Sequence, residues 1–396
     1  MVFDKLEREW TKMKKRRIKS YYTIFLFETV FLFLVTLNSF NSSLSNVYVL
    51  PFILFICDVI FFFVLGFEKS NKRLNKIVSF DVFMYSMIFL ILYYLFGIII
   101  GYAESNNYLT LYGLTVFIIP IILKIVFKEH LRNSLLTKSG DNKFLIIYSV
   151  ILFIMIDILP ALSILKMSNM HDVFIFTALV LLPSITVNVF ATYINIKVGY
   201  MPVIIYLLIF SLYQYVVPIV PNPSEYLKAI IDFILPILVL FKVRKIVNKY
   251  SDEDKEIDRN YKKSAIILLI IPIILTIIII YFVSGYFKYY ALAIASGSMN
   301  PIFDRGSVVI TEQVNEKYDN YNKLKEGEII AFKAEKNIVV HRLIRIVNTD
   351  NEVYYYTKGD ANEEEDDYLI KKENIIGIVR FRIPYIGYPT VWFSEI

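Results

Sequence analysis

A short polar motif and a distant histidine could form a nucleophilic site near the end of this 396-residue chain. Residues 296–301 read Ser-Gly-Ser-Met-Asn-Pro, and His341 follows Ser298 by 43 positions within the sequence Val-Val-His-Arg. A serine hydroxyl becomes reactive at neutral pH when a neighbouring base takes its proton. Histidine suits that role because its ordinary pKa lies close to neutrality. The residue types therefore indicate acyl transfer, with Ser298 as the nucleophile and His341 as the base.

The composition indicates a membrane protein. The chain is 57% hydrophobic and 16% aromatic, and its mean hydropathy is +0.55. These values are too apolar for an ordinary soluble protein. The net charge of +6 does not predict a nucleic-acid partner, because the basic residues lie in short stretches between apolar runs. Three distant histidines and one cysteine, Cys57, predict neither a disulfide nor a metal site, and no cofactor is expected.

Apolar runs long enough to cross a bilayer occupy most of the first 284 residues. A spanning helix needs roughly 20 mostly apolar residues. Nine runs meet or approach that length: 21–39, 47–66, 79–102, 108–127, 144–165, 173–194, 200–220, 227–241 and 264–284. We expect a cytoplasmic tail (1–20), a bundle of about eight transmembrane helices (21–245), a charged cytoplasmic linker (246–263), an anchor (264–284) and an extracytoplasmic domain (285–396).

The charges between the runs predict an orientation. Lysine and arginine cluster after the second, fourth and eighth runs, whereas the alternate connections are nearly free of them. Basic loops remain on the cytoplasmic side of a membrane. The pattern therefore places the amino terminus in the cytoplasm and, after nine crossings, everything beyond Val283 outside the cell membrane.

Four acidic residues interrupt the apolar runs: Asp58, Asp81, Asp157 and Asp232. An acidic residue at bilayer depth is a candidate proton relay, ion relay or substrate contact. Alternatively, such residues lie near span ends or form hydrogen bonds between helices. Both interpretations remain open from the sequence.

The residues after 285 change to short β-type segments. Five runs rich in Val, Ile, Tyr and Phe have strand lengths and are divided by turn residues. They are Ser307–Val314, Glu328–Lys333, Ile338–Val347, Glu352–Thr357 and Ile375–Arg382. The fold class predicted is therefore a polytopic α-helical membrane bundle followed by a small, mostly-β domain.

Five motifs in this domain resemble the successive boxes of the type I signal peptidases. In order, they are Ser-Gly-Ser-Met-Asn-Pro at 296–301, Gly-Glu-Ile-Ile-Ala-Phe at 327–332, Val-His-Arg at 340–342, Thr-Lys-Gly-Asp-Ala-Asn at 357–362 and Ile-Pro-Tyr-Ile-Gly at 383–387. They are similar to the archaeal and endoplasmic-reticulum-like branch, which has histidine where the ordinary bacterial branch has a catalytic lysine. The resemblance covers roughly 286–390, and the many preceding spans depart from that family's usual one or two.

The resemblance implies a role for each site residue. Ser298 would attack, His341 would act as base, and the Ser296 hydroxyl would join the Ser298 N–H in binding the oxyanion. The triad acid of this branch falls at Asp366, counted without a gap from Gly359. Asp360 competes for that role, or is a structural turn carboxylate, and Glu365 and Asp367 stand directly beside Asp366.

The function expected is that of a signal peptidase, a serine endopeptidase that removes signal peptides from translocated pre-proteins. Its expected partners are those pre-proteins, the lipid bilayer and the protein translocation channel. Two alternatives stay open. The bundle could be a transporter or sensor that carries a degenerate β binding module, or the enzyme could be dedicated to one exported client. Shallow apolar specificity pockets are expected around Met299, Ile302 and Val340.

Overall fold

The computed structural model describes the chain with gaps and divides it into two compact units. Described residues are 2–40, 47–66, 74–105, 110–164, 169–250, 273–274, 277–278, 280–282, 288–314, 321–334, 337–349, 352–367 and 370–394. One unit, the helical unit, comprises the described parts of 1–90, 107–217 and 223–266. The other, the β unit, comprises those of 91–106, 218–222 and 267–396.

Among the described residues, eight helices coincide with the first eight apolar runs. They are α1 (Val2–Phe40), α2 (Val49–Leu65), α3 (Asn75–Ile100), α4 (Leu111–Ser139), α5 (Lys143–Ile164), α6 (Met170–Lys197), α7 (Met201–Val216) and α8 (Glu225–Lys249). Five of them are long and apolar enough to cross a membrane: α1, α3, α4, α5 and α6. The apolar helices α2 and α7 are shorter. Of the predicted anchor 264–284, residues 273–274, 277–278 and 280–282 are helical, and the rest lies outside the described residues.

Proline shapes two of the long helices. A π-helical stretch, Leu114–Ile118, precedes Pro120 in α4, and another, Ile175–Leu181, precedes Pro183 in α6. Proline has no N–H to donate and crowds the preceding turn, so the hydrogen-bond ladder shifts register there. The helices continue beyond both prolines.

Charged side chains lie inside the helical unit, where they pair with each other. The Lys128 ammonium of α4 lies 2.5 Å from Asp157 Oδ2 of α5. Arg132, fully buried, donates to Asn188 Oδ1 of α6 at 2.5 Å, and its Nε lies 3.1 Å from Glu129 Oε2. The expectation of a loop directly after the fourth run is wrong here, because α4 continues to Ser139. Charges that interrupt an apolar run resemble a loop in sequence, but buried partners keep these residues helical.

The described residues of the β unit form two sheets. The smaller joins β1 (Tyr102–Glu104) to β2 (Ile219–Pro221). The larger has seven antiparallel strands: β3 (Tyr289–Ala293), β4 (Val308–Gln313), β5 (Ile329–Ala334), β6 (Asn337–Asn348), β7 (Val353–Lys358), β8 (Ile370–Lys371) and β9 (Ile375–Ile383). Its strand order is β3-β4-β9-β5-β6-β7-β8. A short helix, α9 (Tyr388–Ser394), follows β9.

All five strands predicted from the sequence are present, with ends within one residue of those predicted. Their inward side chains form a core that includes Ile330, Phe332, Leu343 and Ile378, each fully buried. A second apolar cluster contains Met299 and Val309 and lies under the polar motif at 296–301. Because Met299 and Val309 of β4 share this cluster, the polar motif is joined to the sheet.

Candidate active site

Ser298 lies in a tight turn that the apolar cluster holds in place. The N–H of Asn300 donates to the Gly297 carbonyl at 3.0 Å, and that of Phe303 donates to the Met299 carbonyl at 3.0 Å. Met299 itself is only 1% exposed. Because the residue after Ser298 is anchored in the core, the serine side chain is presented on a fixed backbone while remaining accessible to solvent.

His341 lies on β6, where strand alternation turns its side chain inward. It pairs with Ile330 of β5, and its ring packs edge-on against Phe332. The His341 Nε2 atom lies 2.9 Å from Ser298 Oγ. This distance is within the range in which a general base takes a proton. The structure thus brings together two residues that are 43 positions apart.

Asp366 completes a chain of hydrogen bonds. Its Oδ2 lies 2.5 Å from His341 Nδ1, and the two side chains are only 8% and 9% exposed. Catalysis needs the tautomer in which Nδ1 donates to the carboxylate and Nε2 accepts from Ser298, and both distances allow it. The Thr357 hydroxyl also donates to Asp366 Oδ2, at 2.7 Å. Sequence reasoning missed Thr357, although it opens a motif that carried the resemblance.

Asp360, the competing acid, lies elsewhere. Its two carboxylate oxygens accept from Arg342 Nε at 2.8 Å and from Arg342 Nη2 at 2.7 Å. These hydrogen bonds raise the pKa of the Arg342 guanidinium. Arg342 also donates to the Gly327 carbonyl at 2.7 Å. A bidentate pair of this kind occupies the carboxylate, so Asp360 fastens the turn after β7 to β6.

The same turn also holds the backbone of the nucleophile. The Ala361 N–H donates to the Ser298 carbonyl at 2.9 Å. A Cβ atom at Gly359 would lie 2.7 Å from that carbonyl oxygen. Only glycine allows so close an approach, which explains why the Gly-Asp pair stands at this point of the sequence.

Ser296 also lies within reach of the nucleophile. Its Oγ is 3.2 Å from Ser298 Oγ, and the residue is exposed. A hydroxyl at this position can donate to the carbonyl oxygen of a peptide bond that Ser298 attacks. The arrangement is compatible with the oxyanion role that the resemblance implied.

A groove of about 440 Å³ opens over these residues. Its polar lining is Ser296, Ser298, His341, Asn362 and Asp366, and its apolar lining includes Leu292, Ile294, Met299, Ile338 and Val340. Met299 and Val340 thus line the groove as predicted. Ile302, also predicted, is not part of the lining; its carbonyl accepts from Arg382.

The other two histidines lie in the helical unit, and each pairs with one acid. His130 Nδ1 is 2.7 Å from Asp58 Oδ2, and His171 Nε2 is 3.0 Å from Glu225 Oε2. Among the described residues, no group of three His, Cys, Asp or Glu side chains could hold a metal ion. At the groove, a serine, an imidazole and a carboxylate form one hydrogen-bonded chain.

Curated relatives match about a quarter of the chain. The catalytic subunit SEC11 of the signal peptidase complex from Candida tropicalis is 32% identical over 114 residues, which span 26% of this chain and 65% of that protein. SEC11C of the human complex is 34% identical over 114 residues and matched over 57% of its length. SEC11 from Colletotrichum graminicola is 36% identical over 117 residues and matched over 63% of its length.

The match is partial from both sides, since this chain spans less than two thirds of each of these three relatives. No protein-family model matches the chain, and no solved structure matches it significantly. The relatives nevertheless belong to the branch that the five motifs resembled. Over about a quarter of its length, this chain is therefore similar to the endoplasmic-reticulum-like branch of the type I signal peptidases.

Proposed function

We propose that the chain is a membrane-bound serine endopeptidase that removes signal peptides from translocated pre-proteins. The observation that carries this proposal is the continuous hydrogen-bonded chain from Ser298 Oγ through the His341 imidazole to Asp366 Oδ2, at 2.9 and 2.5 Å. The similarity to catalytic subunits of signal peptidase complexes supports it. The geometry matches the known requirements of a nucleophile, a base and an orienting acid.

The first half of the reaction uses all three side chains. Ser298 Oγ attacks the scissile carbonyl carbon while His341 Nε2 takes the hydroxyl proton. The carbonyl oxygen becomes negative and accepts from the Ser298 N–H and the Ser296 hydroxyl. Asp366 stabilises the imidazolium that forms. When the tetrahedral intermediate collapses, the scissile C–N bond breaks and Nε2 gives its proton to the leaving amine.

The second half releases the acyl group. A water molecule takes the place of the amine and His341 removes one of its protons. The resulting hydroxide attacks the ester carbon, and collapse of the second intermediate returns a proton to Ser298 Oγ. The products are a signal peptide with a free carboxylate and a mature protein with a free amine, so atoms and charges balance.

The strands around the groove favour an extended peptide as substrate. Within the described sheet, β3 pairs only with β4, and β6 pairs with β7 only from Arg342 onward. One edge of β3 and the edge of β6 before Arg342 are therefore unpaired within this sheet. Both β3 and residues 338–340 line the groove. A peptide in extended form could therefore add backbone hydrogen bonds at these edges. The apolar lining from Leu292, Met299 and Val340 suits small apolar side chains next to the scissile bond.

The long apolar helices support a membrane location. We propose that the amino terminus is cytoplasmic and that the β unit lies at the outer surface of the cell membrane, where the cleavage site of a signal peptide emerges. The expected partners are the pre-proteins, the bilayer and the translocation channel.

Reconstitution of the full chain in lipid vesicles tests the proposal. The purified chain is mixed with several pre-proteins, and the amino terminus of each product is sequenced. We expect cleavage after the apolar segment of each signal peptide, and none from the Ser298→Ala variant. Cleavage of a single pre-protein would support the dedicated protease. Absence of cleavage with every pre-protein, or equal cleavage by Ser298→Ala, would refute the proposal.

A further inference from the structure

Thr357 touches the proposed triad acid at two points and has no role in the steps above. Its hydroxyl donates to Asp366 Oδ2 at 2.7 Å, and its carbonyl accepts from the Asp366 N–H at 2.9 Å. Thr357 is fully buried on β7, where it pairs with Leu343 of β6, two residues from His341. The acid is thereby tied to the strand beside the one that carries the base.

Asp366 needs such a tie because it lies on a loop. The loop leaves β7 at Gly359, and its residues 361–365 are exposed. Carboxylates also stand on both sides of Asp366, at Glu365 and Asp367. A carboxylate on a loop can rotate about two side-chain bonds, and rotation would change the oxygen offered to the imidazole. A buried donor that bonds to one oxygen restricts this rotation.

The oxygen that Thr357 holds is the one that accepts from His341. Both Thr357 Oγ1 and His341 Nδ1 approach Asp366 Oδ2, at 2.7 and 2.5 Å. Catalysis in sites of this type depends on sub-ångström placement of the groups. We infer that Thr357 is a positioning residue of the proposed peptidase, whose hydroxyl keeps Asp366 Oδ2 against the imidazole of His341. This inference rests on the proposed function.

Thr311 provides a matched control in the same sheet. It is also fully buried, on β4, and its hydroxyl donates to the Tyr290 carbonyl at 2.8 Å. A hydroxyl that only satisfies a buried acceptor would have the same role at both positions. Replacing either threonine by valine keeps the shape and removes one buried donor. The two variants therefore separate loss of packing and hydrogen bonding in general from loss of the contact with Asp366.

The first measurement compares kcat and KM in the reconstituted full chain. Thr357→Val should lower kcat by about tenfold or more, the rate factor that one hydrogen bond to a charged group carries, and leave KM within about twofold. Thr357→Ser, which keeps the donor, should retain most of the kcat of the wild-type chain. Thr311→Val should leave kcat within about twofold. Wild-type kcat in Thr357→Val, or an equal loss in Thr311→Val, would overturn the inference.

A double-mutant cycle then asks whether Thr357 acts through the acid. In single-turnover reactions with excess enzyme, Thr357→Val is compared in the wild-type and Asp366→Ala backgrounds. If the hydroxyl acts on Asp366, its removal should cost less than about twofold once that carboxylate is gone. A full tenfold loss in both backgrounds would mean that Thr357 acts elsewhere, and the inference would be wrong.

A variant that does not fold and a wild-type chain without activity can each be interpreted. If Thr357→Val does not fold, Thr357→Ser decides, because a tenfold loss of kcat with the donor retained contradicts the role assigned to the hydroxyl. A wild-type chain that cleaves no pre-protein refutes the proposed function, and this inference falls with it. An active wild-type chain whose Thr357→Val variant is equally active refutes only the inference.

Discussion

The helical unit and the β unit each contain a histidine paired with an aspartate at hydrogen-bond distance. In the helical unit, His130 Nδ1 lies 2.7 Å from Asp58; in the β unit, His341 Nδ1 lies 2.5 Å from Asp366. The pairs differ in their further described contacts. The Nε2 atom of His341 lies against the Ser298 hydroxyl, in a groove. The ring of His130 packs edge-on against the Tyr200 ring. The pair of the β unit is the candidate site because an accessible hydroxyl lies at hydrogen-bond distance from its imidazole.

The same contrast holds for the charged residues of the two units. In the helical unit, Lys128, Asp157 and Asn188 satisfy one another between three helices. This favours the structural interpretation of Asp157 that the sequence left open, since its carboxylate is already occupied. In the β unit, the chain of hydrogen bonds ends at a solvent-accessible hydroxyl. Polar side chains that bond to each other hold the helices together, whereas a solvent-accessible hydroxyl can react with a substrate.

The largest expected effect on kcat distinguishes the two histidines. His341→Ala and Ser298→Ala should each lower kcat by about 10⁴- to 10⁶-fold, because base and nucleophile act as one unit. His130→Ala should leave kcat within about threefold. Single-turnover cleavage of a pre-protein in vesicles measures all three. The comparison would be wrong if His130→Ala abolished cleavage in folded protein, or if His341→Ala retained it.

The next largest effect distinguishes the two candidate triad acids, Asp366 and Asp360. Asp366→Asn should lower kcat by about 10³- to 10⁴-fold, since an amide can donate to the imidazole and favour the wrong tautomer. Asp360→Asn should mainly lower stability, because it breaks the bidentate pair with Arg342. The measurements are kcat and the thermal unfolding midpoint for each variant. A larger kcat loss from Asp360→Asn would reverse the assignment.

A smaller loss is expected at the proposed oxyanion donor. Ser296→Ala should lower kcat by about 10²- to 10³-fold, the usual cost of removing one such donor. KM should change little, because the hydroxyl bonds to the charge that develops in the transition state. Ser296→Thr, which keeps a hydroxyl, serves as the control. A rise in KM with unchanged kcat would instead make Ser296 a substrate-binding residue.

The elements of both units were predictable from sequence because their patterns are physical requirements. Apolar runs of about 20 residues cannot be soluble loops, and β-branched segments between turns fit a pleated surface. Less predictable were β3 and β8, which are short or follow directly on an apolar run. The helical continuation through Lys128 was also missed. Its charge is compatible with a buried helix only because Asp157 lies opposite, on another helix.

The site, like the fold, was predictable from the sequence only in part. Ser298 and His341 follow from residue chemistry and from the order of the motifs. The choice between Asp366 and Asp360 depends on which carboxylate Arg342 occupies and which Thr357 holds. Those contacts cross strands and have no signature in sequence spacing. Positioning residues are therefore found from structure, whereas reacting residues can be found from sequence.

Removing the Lys128–Asp157 ion pair of the helical unit tests whether its charges serve stability or catalysis. Lys128→Met should lower the free energy of unfolding by about 3 kcal/mol, because it removes the nearer of the two described cations beside the Asp157 carboxylate and leaves Lys124, at 3.8 Å. The double variant Lys128→Met, Asp157→Leu should recover most of that loss. Lys228→Met, which removes an exposed pair with Asp232, should cost about 0.5 kcal/mol or less.

Unfolding in detergent and single-turnover cleavage are measured on the same samples. Cleavage per folded molecule should be unchanged in all these variants, because none of the residues lines the groove. If the double variant were as unstable as Lys128→Met, the pair would not be the source of the effect. If folded Lys128→Met lost cleavage, the charges of the helical unit would belong to the chemistry.

The smallest effect concerns a charged cluster of the β unit that lies away from the groove. Burial raises the pKa of Glu312, but hydrogen bonds from Lys323, Arg380 and Lys288 outweigh it and lower the pKa to about 2. In the unfolded chain, the same carboxyl has its ordinary pKa of 4.5. A lowered pKa means that the cluster stabilises the fold fully above pH 4.5. That stabilisation is lost as the pH falls from 4.5 towards 2.

Glu312→Gln should therefore cost about 2 kcal/mol at pH 7, after allowance for solvent screening of the lysines, and less at pH 3. The thermal unfolding midpoint, measured from pH 7 to pH 3, checks this. Glu352→Gln, a change at an exposed ion pair with Lys371, is the control and should shift the midpoint much less. Cleavage at pH 7 should be unaffected by either change. An equal destabilisation of Glu312→Gln at both pH values would contradict the role of its charge, whereas lost cleavage would show that charged clusters outside the groove also serve the reaction.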